Sequence, residues 1–121
     1  MNNKRHLYSI YQRIKNDCCE QWKSDSISFY TWYENQAKKQ KELCEYCHLP
    51  GDTIAYYGKM FRKGRRGISL EVDRKDAKKG YSPENCVLAC YPCNNAKSDV
   101  FSYDEFLEIG KAINGVKKRT N

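Results

Sequence analysis

Two C-x-x-C pairs, one mid-chain and one further along, restrict the fold most strongly. They are Cys44–Cys47, within CEYC, and Cys90–Cys93, within CYPC. Each pair puts two thiolates on one tight turn, and structural zinc prefers four tetrahedral thiolate or imidazole ligands. The 42 residues between the pairs exceed the usual spacing of a zinc ribbon. We therefore expect Cys44, Cys47, Cys90 and Cys93 to bind one structural zinc ion that joins two knuckles across an inserted segment.

Other assignments of the cysteines are also open. His48 directly follows Cys47 and offers an imidazole in place of one thiolate, or the two pairs are unrelated reduced thiols. Cys18 and Cys86 are expected as small buried core residues. The sequence has neither a signal peptide nor an apolar run of membrane length, so we expect a cytoplasmic protein that does not bind membranes. In that compartment seven cysteines favour metal binding or buried thiols over disulfides.

Positive charge is concentrated in one part of the chain. The net charge is +7, and the segment between Gly58 and Gly80 carries nine Lys or Arg against three acids. A solvated loop face would explain such a run, but its position beside the cysteine motif favours contact with phosphates. The cations assigned to nucleic-acid contact are Arg62, Lys63, Arg65, Arg66, Arg74, Lys75, Lys78, Lys79 and, beyond this segment, Lys97.

Three stretches have the periodicity of amphipathic helices. We predict helices over residues 4–22, from about Phe29 to Lys41, and from about Tyr103 to Asn114. Ser102 and Glu105 form a capping box before the last of these, and Gly115 matches a C-terminal stop. The basic residues beyond Gly115 are expected to fray.

Between the cysteine pairs the pattern changes to that of short strands. Apolar residues alternate with polar ones from Ile68 to Asp73, which predicts a strand with its polar side chains on the opposite face. A polar loop follows as far as Glu84, and Asn85–Cys90 is predicted as the second strand. A helix is expected to open at Cys93. Thr53–Tyr57 gives a weaker strand signal.

With its two knuckles, the stretch from Cys44 to Asp99 resembles the HNH, or ββα-metal, endonuclease family. The matching residues are Val72-Asp73-Arg74, then Gly80-Tyr81 with Pro83-Glu84-Asn85, then Cys90-x-x-Cys93-Asn94-Asn95-Ala96-Lys97. Their order and spacing match together, and the closest likeness is to small proteins of phages and mobile elements.

The resemblance implies a role for four polar residues. Asp73 and Asn94 take the places of the two ligands of a catalytic metal, for which hard oxygen ligands favour Mg²⁺ or Mn²⁺. Asn85 matches the central Asn whose side chain holds the loop between the strands. Lys97 matches a basic residue near the phosphate. Each also has an ordinary explanation, such as a strand-end cap for Asp73 or a helix N-cap for Asn94.

One position departs from the family pattern. The family has its general base, a His, directly after the Asp, and here that residue is Arg74. Arg stays protonated and cannot activate water. In one interpretation the protein still cuts DNA, with Asp76, Tyr81, His48 or the metal itself replacing the His and Arg74 holding the phosphate. In two others the fold is retained without catalysis, and the protein binds nucleic acid or a protein partner, for example as a phage inhibitor of host defence.

The sequence therefore predicts an α+β fold with a ββα-metal core. We expect one domain, made of N-terminal helices over 1–43, a zinc-bound HNH-like core over 44–99, and a C-terminal helix with a basic tail over 100–121. The preferred function is metal-dependent hydrolysis of DNA. The assigned catalytic residues are Asp73, Arg74, Asn85 and Asn94, with Zn²⁺ in the cysteine site and Mg²⁺ or Mn²⁺ at Asp73 and Asn94.

Overall fold

Two short antiparallel strands and the helix after them form the centre of the fold. The computed structural model describes residues 4–58 and 66–120. Strand β1, Glu71–Arg74, pairs with β2, Cys86–Ala89, in a register that sets Asp73 opposite Val87. Helix α5, Tyr91–Lys97, follows β2 directly and packs on β1. This is the predicted ββα unit, although both strands are shorter than predicted and α5 begins two residues before Cys93.

The N-terminal region is divided more finely than its periodicity indicated. Helix α1, Lys4–Ile14, ends in a 3₁₀ turn, Lys15–Asp17, and α2, Glu20–Ser24, follows after Cys18 and Cys19. The single helix predicted over 4–22 is wrong. The backbone of this break pairs with Tyr81 instead: Cys19 N–H donates to the Tyr81 carbonyl over 2.9 Å, and Tyr81 N–H donates to the Asp17 carbonyl over 3.0 Å. Tertiary pairing therefore overrides local helix propensity here.

Helix α3, Ser26–Lys39, brings an aromatic face to the core, as its sequence predicted. The Asp25 carboxylate caps the helix by accepting from Ile27 N–H over 3.0 Å. Phe29 is completely buried, and its ring packs edge-on against Trp22 at 5.1 Å. Cys18 and Cys86 are buried in the same core and are not ligands of the cysteine cluster.

The strand predicted over Thr53–Tyr57 is wrong. Ile54–Tyr57 forms a helical turn, α4. Thr53 anchors its start, because both its N–H and its hydroxyl donate to the Gly67 carbonyl over 3.0 Å. No helix among residues 4–58 and 66–120 has the length and apolar character needed to cross a membrane.

Helix α6, Tyr103–Thr120, lies against the first cysteine pair. The predicted capping box is present, with Ser102 N–H donating to Glu105 over 2.9 Å and Glu105 N–H donating to the Ser102 hydroxyl over 3.1 Å. The predicted stop at Gly115 is wrong, and the basic residues after it are helical. Asn114 helps to hold this end, because its side-chain amide donates to the Cys47 carbonyl over 2.7 Å. Cations in the last turn also suit the helix dipole.

Candidate functional site

The site is built on one face of β1 and the facing side of α5. Glu71 and Asp73 are two residues apart in the strand, so they point to the same side. Asn94 and Lys97 are three residues apart in α5 and share a helix face. The ββα arrangement thus brings two carboxylates, one amide and one ammonium group together.

A cavity of about 210 Å³ opens beside this face. Asp73 and Asn94, the two predicted metal ligands, both line it, together with Arg74 and Tyr81. Ser98 ends α5 with a φ of 47°, and the chain turns there. The complete lining consists of Val72, Asp73, Arg74, Ala77, Tyr81, Asn94, Ser98 and Asp99.

Asp73 has two buried partners that sequence reasoning did not pair with it. The Tyr46 hydroxyl donates to Asp73 Oδ2 over 2.5 Å, and Lys97 Nζ lies 3.5 Å from the same oxygen. Desolvation raises the pKa of the Asp73 carboxyl, and the Tyr46 hydrogen bond and the Lys97 charge oppose that rise. Among the described residues these contacts use Oδ2 alone, which leaves Oδ1 as the oxygen that could bind a metal.

Asn94 is held by Glu71, which sequence reasoning assigned no role. Asn94 Nδ2 donates to Glu71 Oε1 over 3.1 Å, so its own Oδ1 is the atom left to act as a ligand. Glu71 is buried and forms a bidentate pair with Arg66, at 2.7 and 2.8 Å. Arg13 Nη2, from α1, lies 3.9 Å from Glu71 Oε2. The two-residue interval between Glu71 and Asp73 was the only signal of this role in the sequence.

Arg74, at the position of the family's histidine, stacks on an aromatic ring. Its guanidinium lies 4.7 Å from the centre of the Tyr81 ring. Burial raises the pKa of the Tyr81 phenol, and the Arg74 charge opposes that rise. Of the three residues considered as replacements for the histidine, Tyr81 lines the cavity, whereas Asp76 and His48 do not. The second histidine, His6, lines a different cavity beside α1.

Asn85 spans the loop between the two strands. Its side-chain amide donates to the carbonyls of Asp76 and Gly80, each over 3.0 Å, while its Oδ1 accepts from Asp76 N–H over 3.1 Å. Asn85 does not line the cavity. Its contacts instead connect both ends of the loop that follows Arg74.

The four predicted cysteine ligands come together in a buried metal-binding cluster. Their sulfur atoms all lie within 4.8 Å of one another, and Sγ of Cys47 and Sγ of Cys90 are 3.7 Å apart. All seven cysteines of the chain are free thiols. The alternative of two unrelated thiol pairs does not fit this convergence. His48 is exposed next to the cluster and is not a member of it.

The predicted nucleic-acid contacts fall into different environments. Arg62, Lys63 and Arg65 lie outside the described residues. Arg66 is paired with Glu71 and stacks on Tyr91 at 4.5 Å, while Lys78 and Lys79 are exposed. Lys75 Nζ lies 5.5 Å from the centre of the Tyr103 ring.

Lys97 requires a correction. Its side chain is 1% exposed, and Nζ donates to the Arg74 carbonyl over 2.8 Å as well as pairing with Asp73. Both the solvent-exposed alternative and direct contact with a phosphate conflict with this burial. Lys97 instead neutralises a buried carboxylate.

Comparison with known proteins supports the interpretation of this geometry. The sequence matches no protein-family model and no curated protein. The structure matches that of the rare-cutting HNH restriction endonuclease PacI, with a TM-score of 0.69 and 28% sequence identity. The match covers 94% of this chain and 80% of PacI. The resemblance to the HNH endonucleases is thereby confirmed, and the chain has the fold of an HNH endonuclease with a four-cysteine cluster.

Proposed function

We propose that this protein is a metal-dependent endonuclease that hydrolyses phosphodiester bonds in DNA. The observation that carries this proposal is the convergence of Asp73 and Asn94 on one cavity, within the fold of an HNH endonuclease. Each of these residues has one side-chain oxygen without a partner among the described residues. Two hard oxygen donors suit Mg²⁺ or Mn²⁺.

Asp73 and Asn94 would hold this ion through their Oδ1 atoms. When bound, the ion would stabilise negative charge on the phosphate and on the leaving oxygen. Glu71 orients the Asn94 amide, and Tyr46 and Lys97 orient the Asp73 carboxylate. The chain therefore supplies two ligands with fixed side chains.

The four cysteines suit zinc in particular. A zinc–sulfur bond of about 2.3 Å in a tetrahedron places the sulfur atoms roughly 3.8 Å apart. The 3.7 Å between Sγ of Cys47 and Sγ of Cys90 agrees with that spacing. Four protein ligands leave no open position, so we assign this zinc ion a structural role.

Arg74 and Tyr81 take the place of the histidine at the cavity. We assign Arg74 to binding the phosphate, since a guanidinium presents several N–H donors in a fixed plane. Tyr81 places a phenol beside the same space, where it can orient the attacking water by hydrogen bonding. A phenol is protonated near neutral pH, and burial raises the pKa of Tyr81 further above its usual value.

The DNA backbone would follow the cations around the cavity. Lys78 and Lys79 are exposed on the loop, and Arg13 is exposed on α1 beside Glu71. Glu71 neutralises Arg66 through a bidentate contact, so the more distant Arg13 keeps N–H donors for a phosphate. Arg13 is therefore a proposed DNA contact that the sequence did not indicate.

Replacing Arg13 should reduce the salt dependence of DNA binding. Each lost phosphate contact lowers the slope of log K against log salt by about 1, with little dependence on DNA sequence. We expect this change in Arg13→Gln and not in Arg119→Gln, which removes an exposed cation from the last turn of α6. Gel shifts across a salt series would measure both slopes. Equal slopes for Arg13→Gln and the wild type would remove Arg13 from the DNA surface.

A second candidate function is a catalytically inactive HNH-like module that binds DNA or a protein partner. The observation in its favour is that neither histidine lines the cavity, whose Arg74 cannot accept a proton. Such a module would keep the zinc site and the basic surface. It would release no cleavage products under any metal condition.

Plasmid cleavage distinguishes the two functions. Supercoiled plasmid is incubated with the wild type or with Asn94→Ala, in Mg²⁺ or in Mn²⁺. Asn94 is only partly buried and its side chain contacts Glu71, so this variant removes a proposed ligand with limited effect on the fold. We expect relaxed or linear product from the wild type and at least about tenfold less from Asn94→Ala. Wild-type protein that binds DNA without product in either metal would favour the inactive module.

We also propose that the protein acts in a reducing compartment, such as the cytoplasm of a bacterial or phage-infected cell. Seven free thiols and the absence of disulfides among them support this assignment.

A further inference from the structure

We propose that Tyr46 is a positioning residue through which the first cysteine knuckle, Cys44–Cys47, fixes the Asp73 carboxylate. The inference rests on the proposed function, because that function makes Asp73 a ligand of the catalytic metal. Tyr46 lies between Cys44 and Cys47, the first pair of cysteine ligands. Its hydroxyl donates to Asp73 Oδ2 over 2.5 Å. A single side chain thus connects the two proposed metal sites.

The contact between Tyr46 and Asp73 is shielded from water. Tyr46 is 1% exposed and Asp73 5%. Lys97 Nζ approaches the same Oδ2 from α5, at 3.5 Å. Tyr46 and Lys97 therefore hold one oxygen of the Asp73 carboxylate, and the other oxygen, Oδ1, is left to bind a metal.

The ring of Tyr46 is packed against aromatic side chains of α6. Its ring packs edge-on against Tyr103 at 5.8 Å and against Phe106 at 5.3 Å. Helix α6 also touches the backbone of the knuckle: a Cβ on Gly110 would lie 2.2 Å from the Tyr46 carbonyl oxygen. The phenol is therefore held by the knuckle on one side and by α6 on the other.

Tyr46 does not line the cavity, so its effect on the reaction passes through Asp73. Without the hydroxyl, Oδ2 keeps Lys97 as a partner, and the carboxylate gains rotational freedom. Loss of a partner that orients a metal ligand typically lowers metal affinity or activity by about 10- to 100-fold. We expect weaker binding of the catalytic metal, with unchanged affinity for DNA.

The same aromatic cluster provides a matched control. The Tyr103 hydroxyl also donates to a carboxylate over 2.5 Å, but its acceptor is Glu45 Oε2, and Glu45 does not line the cavity. Tyr46→Phe and Tyr103→Phe each remove one oxygen atom and keep the ring. A purely structural role of the hydroxyl would give similar effects in the two variants.

The test is an Mn²⁺ titration of full-length protein loaded with zinc. Electron paramagnetic resonance measures Mn²⁺ binding without DNA, and plasmid cleavage measures the half-saturating Mn²⁺ concentration. For Tyr46→Phe we expect both values to rise at least about tenfold, with cleavage restored by excess Mn²⁺. Zinc content and DNA affinity should match those of the wild type, and Tyr103→Phe should behave as the wild type in every measurement.

The outcomes separate this inference from the proposed function. If the wild type binds Mn²⁺ and Tyr46→Phe binds it equally well, the inference is wrong while the proposed function stands. Equal weakening by Tyr46→Phe and Tyr103→Phe also overturns the inference. A wild type that neither binds Mn²⁺ nor cleaves DNA overturns the proposed function, and the inference with it.

Discussion

Removal of the metal from the four-cysteine cluster should unfold the core of this protein. The four thiols are completely buried and come from two distant segments, so without a cation they would be protonated and no bond would join the two segments. Structural zinc sites contribute on the order of 10 kcal/mol, which is comparable to the entire stability of a typical domain. We expect a strong chelator to abolish the cooperative thermal transition, followed by circular dichroism, and readded zinc to restore it.

The buried Cys86 provides a control for this prediction. Cys86 lies in β2 and is 2% exposed, whereas Cys93 belongs to the cluster and is completely buried. Cys93→Ala should lose the bound metal and the folded state together. Cys86→Ala should keep the metal and lose only the free energy of a small core truncation, about 1 kcal/mol. Similar melting of these two variants, or purified protein without bound metal, would contradict the assignment.

The second large effect is expected at the buried pair of Lys97 and Asp73. Lys97→Met removes the charge and keeps the approximate volume, so the Asp73 carboxylate would be left without its only cationic partner among the described residues. Breaking a buried ion pair in this way costs about 3–5 kcal/mol. We expect urea titrations to show a loss of this size in the free energy of unfolding.

A double variant separates stability from catalysis. Asp73→Asn with Lys97→Met removes both charges and keeps an acceptor for the Tyr46 hydroxyl, so most of the lost stability should return. Cleavage should nevertheless fall well below that of the wild type, because the proposed metal site loses its ionised ligand. If the double variant is as unstable as Lys97→Met alone, the charge pair is not the source of the loss. If it cuts DNA as well as the wild type, the charge of Asp73 is not needed to bind the catalytic metal.

The sequence predicted the parts of the site that depend on local spacing. Two residues between the cysteines of each pair put both thiols on one turn, and the position of Asn94 directly after Cys93 put both residues in one helix, although that helix begins earlier than predicted. The capping box at Ser102 was likewise readable from four residues. These features depend on neighbours in the chain, so the pattern alone was sufficient.

Features that depend on distant contacts were not predictable in this way. Strand alternation put Glu71 and Asp73 on the polar face of the strand, and their burial follows only from α5, which covers that face. The burial of Lys97 was not predictable either, because its partner Asp73 lies 24 positions earlier in the chain. In the sequence, nothing distinguishes Tyr46 from a spacer residue between two cysteines. Its contact with Asp73 exists only after the knuckle, β1 and α6 have come together.

The joining of the two cysteine pairs also has a consequence for when the proposed site can form. The proposed metal site uses Asn94 beside one pair, and Tyr46 from the other pair holds its Asp73 carboxylate, so the chain from Cys44 to Cys93 must close before the site is complete. Closing so long a loop is entropically unfavourable, and metal binding offsets that term. A chain emerging from the ribosome would then lack the proposed site until both cysteine pairs have been synthesised and have bound the metal. For the proposed endonuclease, we expect metal supply to set the moment at which cleavage of DNA can begin.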